Sequence, residues 1–192
     1  MKNIFQICLV IVVLGTFPLH AQSQSAESEE IGNIKALVST LDTDVAAFRE
    51  LNGQIAGMAE SDRMQLLYRQ DERIFQILAD YDTLAGLVTG LPEGSTERQG
   101  YMQHLADLGK GSLSDMDNDL FARIDEIQQL IADGNSRLSE LSGIELITTQ
   151  AYVQGMESIR IRYFETLANH VQSRTRLGLS PDALREQLES RV

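Results

Sequence analysis

The 192 residues carry 28 Asp and Glu against 16 Lys and Arg, a formal net charge of −12. A surface of that sign repels phosphate backbones and anionic lipid headgroups, which argues against nucleic-acid binding and against adhesion to acidic membranes. Three Pro, no Trp, 43% hydrophobic and 6% aromatic residues leave long stretches free to be helix around a core of modest aliphatic side chains.

The first 21 residues read as a signal peptide. Lys2 supplies the positive end, an apolar run spans Ile4 to Leu14, and Phe17-Pro18-Leu19-His20-Ala21 ends in a small residue at which cleavage is expected. The run is short for a bilayer span, and Cys8 inside it lacks the small residues that precede a lipidated cysteine. Cleavage removes Lys2 and with it one positive charge, taking the net charge to −13, and leaves no cysteine for disulfides or thiol chemistry. Residues 22–28 (QSQSAES) are small and polar and read as a flexible lead-in.

From residue 29 to 179 apolar residues recur at steps of three and four, which predicts an all-α protein: an elongated antiparallel helical bundle or coiled-coil-like array. The first seam is Ile31, Ile34, Val38, Leu41, Val45, Phe48, Asn52 and Ile55, close to four heptads with Asn52 as a polar interruption. Lys35, Asp42, Arg49 and Glu50 lie opposite, as a solvated face. Gly53 and Gly57 weaken its end. Ser61 then caps a second helix with the seam Met64, Leu67, Ile74, Leu78, Tyr81, Ala85 and Val88, and Asp71 among them. Each seam is narrow, which favours an extended array over a compact globule.

Gly90-Leu91-Pro92-Glu93-Gly94-Ser95 stops that helix, and Thr96 with Gln99 forms a capping-box pattern for the next. Met102, Leu105 and Leu108 share a face before a break at Gly109-Lys110-Gly111. Leu113, Met116, Leu120, Ile124, Ile127 and Ile131 follow at helical spacing, with a break or bend at Gly134-Asn135. Leu138 and Leu141 open a further helix running through Ile147, Ala151, Met156, Ile159, Tyr163, Leu167 and Val171. Leu177-Gly178-Leu179 ends it, with Gly178 suited to the left-handed position after the cap. Ser180-Pro181-Asp182 starts a last helix carrying Leu184 and Leu188. Residues 180–192 show no stop signal, which suggests a helix cut short.

Candidate chemistry concentrates in DMDNDLFARIDE, Asp115 to Glu126, which places acids at positions 1, 3, 5 and 12 of a twelve-residue window, as a calcium loop does. The sixth position of such a loop demands a sharp turn and favours Gly; here it is Leu120, and helical spacing runs straight through. The acids therefore read as the start of a helix capped by Ser112 or Ser114, with Asp115, Asp117 and Asp119 at its positive end. His104 and His170 have no second His or Cys at ligand spacing and read as surface residues. Arg160, Arg162, Arg174 and Arg176 form the basic concentration, expected to pair with Glu157 and Glu165 on the same helix or to meet a partner. No nucleophile elbow or phosphate-binding loop occurs. The residues give no catalytic, cofactor-binding or metal site, and no cofactor.

Two turns carry a resemblance. Leu91-Pro92-Glu93-Gly94-Ser95-Thr96 with Arg98-Gln99 resembles a turn in the exported N-terminal region of bacterial MscS-like mechanosensitive ion channels. Leu167-Ala168-Asn169-His170, Leu177-Gly178-Leu179-Ser180 and Ala183-Leu184-Arg185 are similar to the place where those regions close before the membrane. The resemblance implies a periplasmic helical domain, associated with the inner membrane in a longer chain, that spaces or modulates a tension-gated pore; the pore helices and vestibule lie outside these residues. The other reading is a free periplasmic coiled-coil scaffold that binds another protein, or a copy of itself, through its seams. A secreted enzyme or chaperone is the weakest of the three.

Overall fold

A computed structural model describes the backbone of residues 17–56 and 58–192, and the side chains of 28–55, 58–59, 66–67 and 69–192. The expected signal peptide lies largely outside the described residues, as do the side chains of Ser61 and Met64.

Among the described residues the chain is all-helical: α1 (Phe17–Ala56), α2 (Glu60–Gly90), α3 (Thr96–Lys110), α4 (Ser112–Arg137), α5 (Gly143–Arg176) and α6 (Asp182–Glu189). None is long and apolar enough to cross a membrane. Residues 22–28, expected as a lead-in, continue α1; once a helix is nucleated, each added residue gains a backbone hydrogen bond.

Cross-helix contacts set the direction of each leg. Asn52 meets Gln70 across the α1–α2 turn, so those two run antiparallel. Asp42 meets His104 and Arg49 meets Ser112, so α3 and α4 follow one another alongside α1 in its own direction. Asp71 meets Tyr163 and Asp82 meets Ser173, so α5 descends beside α2. The result is an up-down-up-down bundle whose third leg is α3 then α4, with α6 folded back on α5.

One apolar cluster joins all six helices. The α1 seam is as the spacing predicts: Ile34, Leu41, Val45, Phe48 and Ile55 are buried, and Ile31 and Val38 are partly so. α2 departs from the narrow seam. Ile74, Phe75, Ile77, Leu78, Tyr81, Leu84, Ala85 and Val88 are all buried, because α2 is packed by α1, α3, α4 and α5 and needs apolar residues around most of its girth.

The helix ends show why local signals place breaks well and caps less well. The turn after Gly90 forms with Gly94 at φ 82°, but the cap is Ser95, one residue before the expected Thr96, and its Oγ accepts from Arg98 N at 3.2 Å. The Gly111 break is present, and Gly111 itself is the cap of α4. Ser112 is buried inside the first turn, where its hydroxyl accepts from Arg49, so neither Ser112 nor Ser114 caps the helix. Ser180 lies one residue further out than expected, and Pro181 caps α6. At Leu177-Gly178-Leu179 the expected motif forms: Gly178 sits at φ 71°, and Leu179 N donates to Arg174 O at 2.9 Å.

Gly134 does not break α4, which continues to Arg137. Its missing side chain lets α5 approach: a Cβ there would lie 2.5 Å from Cγ2 of Val153. The last helix also closes where sequence gives no stop. α6 ends at Glu189, and Arg191 turns back to hold Asp125 through bonds of 2.8 and 3.0 Å, its guanidinium 4.7 Å from the Phe121 ring centroid.

Candidate functional site: polar pairs between the helices

The polar residues that interrupt the seams are where the helices are tied together. At the first level Gln70, buried on α2, donates to Asn52 of α1 and to Asp119 Oδ2 of α4 at 3.2 Å. Asn52 thus breaks the apolar seam only to meet a polar partner, the arrangement that fixes register in coiled coils.

Next to Gln70 on α2, Asp71 forms a second tie: it accepts from the Tyr163 hydroxyl at 2.6 Å and faces the Arg123 guanidinium at 3.6 Å. Beside it Arg162 holds both oxygens of Glu72, at 2.7 and 3.1 Å, while lying 4.1 Å from the centroid of the Phe75 ring. Phe75 and Tyr163 meet edge to face at 5.0 Å. Arg162 thus reaches across to α2, and Arg176 likewise reaches Asp82 at 3.0 Å. Arg174 instead donates to Gly109 O at 3.3 Å.

Further along α2, beside Tyr81, lies the most enclosed polar pair. His170 Nδ1 and Asp117 Oδ1 are 2.7 Å apart, with His170 1% and Asp117 4% exposed. With the carboxylate as acceptor, Nδ1 carries the proton. Nε2 is buried without a hydrogen-bond partner, and the ring meets Tyr81 edge to face at 5.3 Å. His170 is thus a core residue, not the surface residue its isolation in the sequence suggests. Near it, Ser173 donates to Asp82 Oδ1 at 2.5 Å. His104 is half-buried, 2.9 Å from Asp42.

Burial shapes the ionisation of these ties. It raises Asp71 from its ordinary value, and the Tyr163 hydroxyl and Arg123 offset this only in part. Asp119 is raised by burial too, against an opposing bond from Asn52. Tyr163 is raised by burial and then by the Asp71 carboxylate, and Tyr81 is pushed up to about 12 chiefly by burial. A carboxyl whose value is raised on folding binds protons more tightly in the native state. Stability it contributes therefore grows as pH falls through the raised value, and levels off below the unfolded value of 3.8. We expect Asp71→Asn, which keeps an acceptor for Tyr163, to gain less in urea midpoint than the parent on going from neutral pH to pH ~4. Parallel curves for parent and variant would contradict this.

The acids of the 115–126 segment follow the helical reading. α4 runs straight through it, with Met116, Leu120, Ile124 and Ile127 buried. Asp117 and Asp119 face other helices, while Asp115 is exposed. Among the described residues no group of three or more His, Cys, Asp or Glu is placed to hold a metal ion. Calorimetric titration with calcium is expected to give no saturable one-to-one heat; tight stoichiometric binding would contradict the helix.

α5 departs from its expected seam. Ile147, Ala151 and Ile159 face outward, and Val153, Tyr163, Leu167, His170, Ser173 and Leu177 face the core with Met156 partly buried. No protein-family model, curated protein or solved structure matches the chain.

Proposed function

We propose that the chain is the non-catalytic, extramembrane helical domain of an MscS-like mechanosensitive channel, exported to the periplasm and serving as a spacer or gating modulator. The observation that carries this reading is the set of polar ties between legs at successive levels of the bundle. Polar pairs in an apolar seam penalise sliding of one helix past another, because any shift strands a buried donor or acceptor. Legs so registered move together, which is what a module relaying displacement needs. The coiled-coil spacing of the α1 seam belongs to the same reading.

Of the segments that resemble the channel family, the first connects α2 to α3, and Leu177–Ser180 of the second connects α5 to α6. Leu91 is buried and its carbonyl accepts from Arg98 at 3.1 Å. Leu177 is buried and Leu179 packs against the core. The acidic surface keeps such a domain off anionic headgroups. A second reading, a free periplasmic scaffold, is favoured by the outward apolar stripe on α5. The coding sequence beyond Val192 decides between them. An in-frame continuation into pore-forming helices supports the channel domain; a stop codon there overturns it in favour of the scaffold.

A further inference from the structure

A single narrow stripe attaches α6 to the bundle. Within Asp182–Glu189 Leu184 is buried, Leu188 is partly so, and the other residues are exposed. Arg191 continues the stripe three residues on, just past the helix, and it is where this segment meets α4. Its guanidinium donates to both oxygens of Asp125, at 2.8 and 3.0 Å, and lies 4.7 Å from the Phe121 ring centroid. Its carbonyl accepts from Gln128 Nε2 at 3.0 Å. Arg185, the cation inside α6, faces Asp182 of its own helix instead, at 3.7 Å. The connection from α5 is fixed as far as Leu179. Leu177 is buried, Leu179 packs against the core, and Leu179 N donates to Arg174 O. Ser180 is exposed and bonds within the turn: its hydroxyl donates to Asp182 Oδ2 at 2.7 Å and accepts from Asp182 N at 3.4 Å.

We propose that α6 is a latch, hinged at Ser180 and fastened to α4 by Arg191, that opens while the four legs stay closed. An isolated helix this short is far from stable in water, so α6 keeps its shape only while docked. Its docking rests on one buried leucine and one fastening residue. Opening α2 instead exposes every buried side chain from Ile74 to Val88, so α6 opens at a far smaller free energy than the legs do. The fastening is ionic and reached by solvent, with the Arg191 side chain 24% exposed and that of Asp125 48%, so dissolved ions weaken it.

Opening changes the surface of the bundle. It lifts Arg191 from the ring of Phe121, which is 2% exposed when the latch is closed. It also removes Leu188 from the groove that it lines with Phe164, Ala168 and Ile161 of α5. The latch therefore converts loss of one ion pair into exposure of an apolar face on α4 and α5. It depends on neither reading of the domain's role and fails separately from both.

The test is residue-resolved amide hydrogen exchange on the full chain at about 0.05 and about 0.5 M sodium chloride. Arg185 N, bonded to Pro181 O at 2.8 Å, and Ser190 N, bonded to Glu186 O at 3.0 Å, report on α6, and Leu179 N reports on the fixed side of the hinge. The two α6 amides are expected to exchange together, at least about a hundredfold faster than those of Tyr163–Ser173, with Leu179 slower than both. The higher salt should speed the α6 pair about threefold. Arg191→Ala should speed it about tenfold at low salt, remove the acceleration by salt, and leave the α2 and α5 rates unchanged. Asp125→Asn should speed it in the parent and add little to Arg191→Ala. Exchange of α6 no faster than that of α5, rates indifferent to salt or to Arg191→Ala, or an acceleration by salt that persists in Arg191→Ala would each overturn the proposal.

Discussion

Leu120→Gly is expected to destabilise the protein by about 4 kcal/mol or more, read as a drop in urea midpoint with an unchanged slope. Leu120 is fully buried on α4. Truncating a buried leucine costs about 2–5 kcal/mol through lost apolar contact and the cavity left behind, and glycine inside a helix adds about 1 kcal/mol of backbone entropy. The same substitution separates the two readings of the acidic segment. In a calcium loop the sixth residue turns sharply, and glycine there would be neutral or favourable. Leu120→Ala isolates the side-chain part, and should be milder than Leu120→Gly by about 1 kcal/mol, the backbone part. A glycine variant as stable as the parent would contradict the helix through Asp115–Glu126.

Asp117→Ala is expected to cost about 3 kcal/mol. His170 already has Nε2 buried without a partner, and loss of Asp117 leaves Nδ1 dry as well. Replacing both members together, Asp117→Leu with His170→Phe, removes the unmet polar groups and keeps a ring against Tyr81. That double variant is expected to be more stable than Asp117→Ala, because apolar replacement of a buried polar pair is often neutral. A double-mutant cycle by chemical denaturation checks this. Single and double costs that simply add would show that the two side chains do not act as a pair.

Sequence reveals most where the deciding interactions are local. The α1 seam, the turn at Gly94, the break at Gly111 and the left-handed Gly178 all follow from spacing and glycine within a few residues. The ties between helices do not, since Asp117 and His170, or Asp71 and Tyr163, are 53 and 92 residues apart. Asn52 and Asp71 could be seen to interrupt their seams, but nothing local named their partners.

α5 misleads for a definite reason. Ile147, Ala151 and Ile159 have helical spacing as regular as that of the residues that pack, so periodicity alone cannot choose which stripe faces the core. A usable signal was present: Tyr163, Leu167, His170, Arg174 and Leu177 repeat at four and three, which puts His170 in phase with the buried face in place of Val171. Gly134 reads as a break or bend because close approach between helices is invisible in one strand of sequence.

Residue-resolved amide hydrogen exchange tests most directly whether the polar ties make the bundle one mechanical body. Tied legs predict one shared, high opening free energy for the buried stretches around Ile74–Val88 of α2, Leu113–Ile124 of α4 and Tyr163–Ser173 of α5. Destabilising the His170 pair should then lower all three together. Separate opening energies for these helices, or rapid exchange from Asp115 to Leu120, would contradict it.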